Sequence, residues 1–450
     1  MKKSIVISLV VLATLGIILA SQYPKLYIAT GYGAKCLASG IFVAGRDAQM
    51  VKDEDLNYSI VKYTKSVIDY ENKRVTTSFF GLASQTAVYR EGFGCCLTGE
   101  LSPVELQREM LLLPEVDKLS WKLPWPNGDV KKDTVFAELD TAQLNSAINM
   151  AFDYSGQNVK RTAAVMVLYK GEIVGEKYWS EKEITADTRI WGWSTNKSIV
   201  NALVGILSRQ GKLDVAALAP VPEWMNDKRR DIKLNDLMQM SSGLKWVEDY
   251  GDVSDATNML YRKADSYLTA ISVPYGKAPQ KEWKYSSGTS NILSGIVRST
   301  IGNDNIYHQF PYNELFRKIG MNSFIFETDA AGNFVASSYG YGNARDWARF
   351  GLLYYNNGIW QGDTILPKGW VDYTRSVAEA SKGVYGAQFW LNDAKALPDV
   401  PKDMYACEGH RGQRVFIIPS KDLVVVRLGF SETDFDHNEF LKRILFALKK

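Results

Sequence analysis

Apolar residues recur at Ile199, Leu203, Ile206 and Leu207, a three- and four-residue spacing that predicts a buried helix opening near Ser194 and stopped by a left-handed Gly211. The same period predicts helices over residues 141–152, 290–300, 344–355 and 437–448. In the first of these, Leu144, Ile148 and Ala151 form the stripe and Thr141 stands as N-cap. Short apolar runs bounded by turn residues read as strands. Residues 163–168 and 173–178 are joined through Lys170, Gly171 and Glu172, and residues 413–418 and 423–428 through residues 419–422, so each pair reads as a hairpin. Further upstream, residues 40–44 read as a strand and residues 75–89 as a strand pair broken at Gly81. Pro114, Pro124, Pro126 and Gly128 mark residues 113–135 as a loop hugging the surface, with a soft boundary near 135.

Strands therefore precede and follow a helix- and loop-rich middle, roughly residues 215–400. The tight hairpins demand antiparallel pairing. The expected fold class is α+β: one antiparallel sheet flanked by helices, with a helical subdomain inserted between its two halves.

The start of the chain departs from this pattern. Lys2 and Lys3 precede an apolar run from Ile5 to Ala20, which fits a signal sequence or an N-terminal membrane anchor over residues 1–22. Ile18 makes a poor cleavage site. The bulk of the chain is then expected outside the cytoplasm, in a bacterial periplasm, with an uncleaved segment as its contact with the inner membrane. Residues 23–135 form an extension and residues 136–450 the main domain. The four cysteines agree with an oxidising compartment, where Cys36 could pair with Cys95 or Cys96. The net charge of +3 over 450 residues gives no electrostatic case for a nucleic-acid partner. The three histidines are scattered and the cysteines lack C-x-x-C spacing, so neither a metal nor another cofactor is implied.

Candidate chemistry centres on Ser194 and Lys197. Three residues apart on a helix, they share one face, and a buried lysine moves toward the neutral form able to activate a serine. The S-x-x-K spacing occurs three times, at Ser59/Lys62, Ser194/Lys197 and Ser242/Lys245. Ser59 lies in a polar stretch of the extension and Ser242 in a turn before Gly243, so only Ser194 opens a long apolar helix. Two later stretches complete a constellation. Tyr285, at a loop running into an apolar helix, can relay a proton if a cation lowers its pKa. Gly412, just before the strand at Gln413, lets a substrate approach the backbone, and the next N–H can serve an oxyanion. There is no G-x-S-x-G elbow, P-loop or H-E-x-x-H. Arg345 and Asp346 read as a helix cap and ion pair, and Trp191, Trp193 and Trp283 as flanking aromatic walls.

In this order, Ser194-x-x-Lys197, Tyr285-x-Ser287 and His410-x-Gly412 resemble the serine β-lactamase and penicillin-binding-protein superfamily. The closer likeness is to its class C-like branch, with the 6-aminohexanoate-dimer hydrolases and related esterases. It extends to residues 237–244 and 338–353 and spans roughly 140–445. The resemblance implies a β-lactamase-like fold. It implies Ser194 as the acylated nucleophile, Lys197 as its base, Tyr285 in proton transfer, and the N–H groups of Ser194 and Gln413 as oxyanion hole. Ser287, His410, Gly412 and Trp193 would meet a small-molecule ester or amide. Two positions depart from the β-lactamase pattern, Ser287 where asparagine is usual and His410 where lysine is usual. A neutral histidine suits a substrate carboxylate poorly, which favours a neutral ester or short amide over penicillins and D-Ala-D-Ala peptides, unless Arg411 or Arg414 supplies the charge. The rival reading is a non-catalytic binding or sensing protein on the same scaffold.

Overall fold

The computed structural model describes residues 2–116, 120–152, 160–431 and 435–448, without the side chains of residues 2–6, 8–21 and 120. Its first element is a long helix, α1 (Lys2–Phe42). The expected strand at residues 40–44 is thereby corrected. Gly31, Ala34 and Ala38 recur at helical spacing and are buried, and their small size brings the helix close to its neighbours. A Cβ on Gly31 would lie 2.3 Å from the Tyr261 carbonyl oxygen, and one on Gly40 would lie 2.7 Å from Val51 Cγ2. The helix runs through position 22 without a break, and the side chains of the expected leader lie almost wholly outside the described residues. Among the described residues no helix is long and apolar enough to cross a membrane.

Strands β1 (Lys65–Asp69), β2 (Arg74–Phe79), β3 (Leu82–Arg90) and β4 (Gly94–Leu97) form an antiparallel sheet in sequence order, on which α1 lies. Thr30 Oγ1 donates to the Ala83 carbonyl at 2.6 Å, and Gln85 Nε2 donates to the carbonyls of Tyr27 (2.7 Å) and Tyr261 (2.6 Å). Residues 113–116 and 123–135 form a loop, with a short 3-10 turn at Ser120–Lys122.

The main sheet joins β5 (Thr162–Tyr169) and β6 (Glu172–Tyr178) to β7 (Trp390–Leu391), β8 (Tyr405–Gly409), β9 (Gln413–Ile418) and β10 (Leu423–Gly429), in the order β7-β8-β9-β10-β5-β6. All its pairings are antiparallel, and Val425 of β10 stands opposite Val167 of β5. Every residue of β5 is buried, because helices cover both faces of the sheet. These are drawn from α2 (Thr141–Ala151), α3 (Asn196–Arg209), α4 (Ser287–Ile301), α5 (Ala344–Tyr355) and α6 (His437–Phe446). Helix α5 meets one face at Gly351, where a Cβ would lie 2.6 Å from Val424 Cγ1. On the other face α2 presses Ile148 on Gly175, and His437 of α6 meets the Phe416 ring at 5.5 Å. The N-cap of α2 is Asp140, not Thr141. Its carboxylate takes the Gln143 N–H at 3.0 Å, a stronger acceptor than a threonine hydroxyl.

The extension docks onto the main domain through buried charge. Lys35 of α1 and Glu327 are both fully buried and paired, and Glu327 also accepts from Ser39 Oγ (2.9 Å) and the Cys95 N–H (2.7 Å). One buried hydrophobic cluster runs from Ala29 to Ala447 across the loop at 113–135. The expected bridge from Cys36 to Cys95 or Cys96 does not form: all four cysteines are free and buried. Lys35 reaches Glu327, which takes the Cys95 N–H. Adjacent helix positions point about 100° apart, so the face of Lys35 is not that of Cys36.

Because the Lys35–Glu327 pair has no solvent to fall back on, Lys35→Met should destabilise the protein by about 3–5 kcal/mol. The loss would register as a lower midpoint in denaturant unfolding. Lys35→Met combined with Glu327→Gln should recover part of it.

Candidate active site

Ser194 lies in a 3-10 turn, Trp193–Thr195, that leads directly into α3. The turn is fixed from within: Thr195 Oγ1 and Asn196 Nδ2 donate to the Gly192 and Trp193 carbonyls, both at 2.7 Å. Trp193 has φ 52°, a left-handed conformation unusual for a tryptophan. Helix α3 is buried from Asn196 to Leu207, which carries Lys197 out of solvent.

Lys197 Nζ donates to Ser194 Oγ (3.0 Å), Ser287 Oγ (3.1 Å) and the Ser337 carbonyl (3.0 Å). Burial pushes this ammonium down to about 8, against the charge of Glu248, which pulls the other way. Its Nζ lies 4.8 Å from the centre of the Tyr285 ring. The Tyr285 phenol is pushed up, chiefly by burial and despite a hydrogen bond with Ser194. The expectation of a cation-lowered tyrosine is thus corrected, and the phenol stays protonated at neutral pH. Tyr285 is braced by Trp390 (5.3 Å between rings), Tyr385 (6.1 Å) and Trp283 (6.5 Å).

Ser287 opens α4 and is fully buried, so it faces the lysine and not a substrate channel. Its Oγ donates to Glu248 Oε1 at 2.5 Å, its N–H donates to Glu248 Oε2 at 2.8 Å, and Tyr250 shares the same Oγ at 3.0 Å. Trp246 Nε1 also donates to Glu248. A carboxylate at the first turn of α4 is favoured by the helix dipole. Glu248 and Tyr250 escaped sequence reasoning, because they lie in an irregular loop with neither periodicity nor a motif of their own.

The third motif closes the group. A Cβ on Gly409 would lie 2.3 Å from the Gly192 carbonyl oxygen, 3.1 Å from Gln413 Cβ and 3.2 Å from the Thr195 nitrogen, so the end of β8 and the start of β9 abut the Ser194 turn. Solvent reaches His410, whose edge meets the Trp193 ring at 5.3 Å. The surrounding protein and the charge of Arg411 push its imidazole down to about 4, so it is neutral at pH 7. Arg411 does not supply a cation to a ligand: it is buried and bound to Asp55 at 3.1 Å. Arg414 pairs with Glu408 at 3.2 Å. Gly412 has φ 79°, and a Cβ there would strike Arg427 Nη1 at 2.3 Å. Its need for glycine is therefore internal and not a matter of substrate approach. Trp193 is buried between Trp191 (3.5 Å between rings) and Tyr32 of α1 (6.1 Å), which leaves it as packing more than as a pocket wall. Arg345 pairs with Glu176 at 3.0 Å, and the cap of α5 is Asn343, with Asp346 buried on Ser323. A cavity of about 580 Å³ lined by Arg189, Asp346 and Arg349 shares no residue with the Ser194 group and contains no lysine.

The Beta-lactamase family profile matches residues 148–444. The chain belongs to the Beta-lactamase family. It is 23% identical over 304 residues to the 6-aminohexanoate-dimer hydrolase of Paenarthrobacter ureafaciens, covering 59% of this chain and 72% of that protein. The crystal structure of a family VIII carboxylesterase superposes with a TM-score of 0.56 at 17% identity, over 70% of this chain and 98% of that one. The octameric penicillin-binding protein homologue from Pyrococcus abyssi gives 0.52 at 15%, over 69% and 77%. The α+β, β-lactamase-like fold is thereby established, and the relatives named are a hydrolase, a carboxylesterase and a penicillin-binding protein homologue.

Glu248 holds up the Lys197 ammonium. Glu248→Gln should therefore move the pH midpoint for phosphonylation of Ser194 by a fluorophosphonate from about 8 toward acid, by about one pH unit. Rates of labelling measured between pH 5 and 10 would check it.

Proposed function

We propose that Ser194 is acylated by a neutral ester or a non-peptide amide and that water then releases the acid. Ser194 Oγ attacks the carbonyl carbon while Lys197 Nζ, 3.0 Å away, accepts its proton. The N–H groups of Ser194 and Gln413 face the oxygen on which negative charge develops. Tyr285, protonated and hydrogen-bonded with Ser194, passes a proton to the leaving alkoxide or amine. Attack of water on the acyl-enzyme reverses the sequence and frees Ser194.

The observation that carries this reading is the buried hydroxyl–lysine contact. A lysine held near 8 is partly neutral at working pH while still basic enough to take the serine proton. The choice of a neutral substrate rests on the mouth of the site. His410 is uncharged, and Arg411 and Arg414 are engaged by Asp55 and Glu408. The 6-aminohexanoate dimer in the name of the Paenarthrobacter relative is a non-peptide amide, but its free carboxylate sets it apart from the neutral substrates proposed here. The protein is proposed to act outside the cytoplasm. Support for that location comes from Lys2 and Lys3 ahead of the apolar run from Ile5 to Ala20.

A fluorophosphonate probe should label the wild-type chain on the peptide carrying Ser194 and leave Ser194→Ala unlabelled. Lys197→Ala should lower ester turnover by about 10²–10⁴-fold. Equal labelling of Ser194→Ala would return the protein to a binding or sensing role, and strong nitrocefin turnover would overturn the neutral-substrate reading. His410→Lys should favour substrates bearing a carboxylate, read as a lower KM for an anionic ester relative to its methyl ester. The mass of the N-terminal peptide in membrane and soluble fractions would show whether residues 1–22 are retained.

A further inference from the structure

The two N–H groups assigned to the oxyanion both follow residues in left-handed conformation, and a non-glycine stands in each of these turns. Ser194 follows Trp193 (φ 52°), and Gln413 follows Arg411 (φ 61°) and Gly412 (φ 79°). The left-handed region is unfavourable for an L-residue, so contacts that hold it there matter. Within the main domain the Arg411 and Gly412 carbonyls accept from Arg427 Nη1 at 2.9 and 3.1 Å. The Arg411 side chain is held elsewhere. It donates to the carbonyls of Glu54 (2.6 Å) and Asp55 (2.9 Å) and to Asp55 Oδ1 (3.1 Å), and it lies 5.6 Å from the Tyr58 ring centre. Asp55 is itself fixed by Arg46 at 2.6 Å, and Glu54 by Lys182 at 3.1 Å. Glu54 and Asp55 belong to a π-helical turn, Lys52–Leu56. Such turns are frequent at functional sites, and here consecutive carbonyls converge on one guanidinium.

Trp193 is braced from the same side. The Tyr32 ring lies parallel to it, within 12°, and Tyr32 is held edge-on by Tyr58 and Tyr261 at 5.6 and 5.4 Å. Tyr32, Asp55 and Tyr58 all precede residue 148, where the family profile begins.

We infer that the N-terminal extension shapes the oxyanion pocket, with Tyr32 and Asp55 as positioning residues that hold Trp193 and Arg411 in the conformations that aim the N–H groups of Ser194 and Gln413. The inference rests on Ser194 acting as the nucleophile. The extension thereby does more than cover the domain: it sets the geometry in which charge on the carbonyl oxygen is received. Loosening such a donor acts on the transition state and leaves ground-state binding nearly unchanged.

The test uses the full-length chain and a nitrophenyl ester. Asp55→Asn should lower kcat by about 10–100-fold, part of the loss expected when an oxyanion donor is removed outright. KM should stay within about twofold and the basic limb of the pH profile should not move. A boronic acid that mimics the tetrahedral species should lose affinity in step with kcat/KM. In an Arg411→Gly background, where the left-handed turn needs no clamp, Asp55→Asn should cost nothing further. A kcat within twofold of wild type, or equal losses in both backgrounds, would overturn the inference. Should Asp55→Asn not fold, Tyr32→Leu must show the same kcat and KM split, and retention of kcat there would overturn it too. A wild-type chain that neither labels at Ser194 nor turns over ester would defeat the hydrolase reading itself, an outcome distinct from an active wild type with indifferent variants.

Discussion

The burial of Lys197 is the constraint on which the rest depends. Removing an ammonium from water and holding it near pKa 8 disfavours its charged form by about 3 kcal/mol relative to a free lysine. The fold must supply that environment without leaving the nitrogen unpaired. Three acceptors do so, from three separated parts of the chain: Ser194 before α3, Ser287 at the start of α4, and the carbonyl of Ser337. Helix α3 is buried over most of its length for the same reason. Glu248 limits the shift, which leaves the lysine basic enough for the proton transfer proposed for it. Packing, helix placement and chemistry at this site therefore answer to one desolvated group.

Electrostatics at the mouth follow a different logic. Cations are present in the third motif and its neighbourhood, yet each is spent inside the protein. Arg411 holds Asp55, Arg414 holds Glu408, and Arg427 spans the carbonyls of residues 411 and 412. Apart from the buried Lys197, what remains beside Ser194 is a neutral imidazole and an aromatic cluster of Trp283, Tyr285, Tyr385 and Trp390. Such a surface favours an uncharged acyl chain.

Much of this was legible in the chain itself. The two hairpins that form β5–β6 and β9–β10 have short apolar runs with turn residues between them, and helix α5 announces itself by periodicity over residues 344–355. Ser194 and Lys197 stood out because helical context discriminates among equivalent spacings. Other features could not be read locally. The segment at 40–44 has the composition of a short strand, and only its continuity with a 41-residue helix decides otherwise. Glu248, Tyr250 and Ser337 acquire meaning from contacts with residues far away in sequence. Arg411 reads as a free cation until Asp55 is placed beside it. The cysteines suggest a bridge until the helix directs Cys36 away from β4.

The clamp on Arg411 also orders events in time. Asp55 and Arg411 are separated by 356 residues, and Lys35 and Glu327 by 292. Contacts this far apart close late in folding, since a long loop must be ordered before either end gains anything. Strand β10, near the end of the chain, must also pair with β5 before the main sheet is whole. Until then the serine and the lysine would have neither the dry surroundings proposed to activate the pair nor the turn proposed to receive the oxyanion. Reactivity would emerge only when the last hairpin has paired with β5 and the first helix has docked, so a chain lacking either would bear an inert serine.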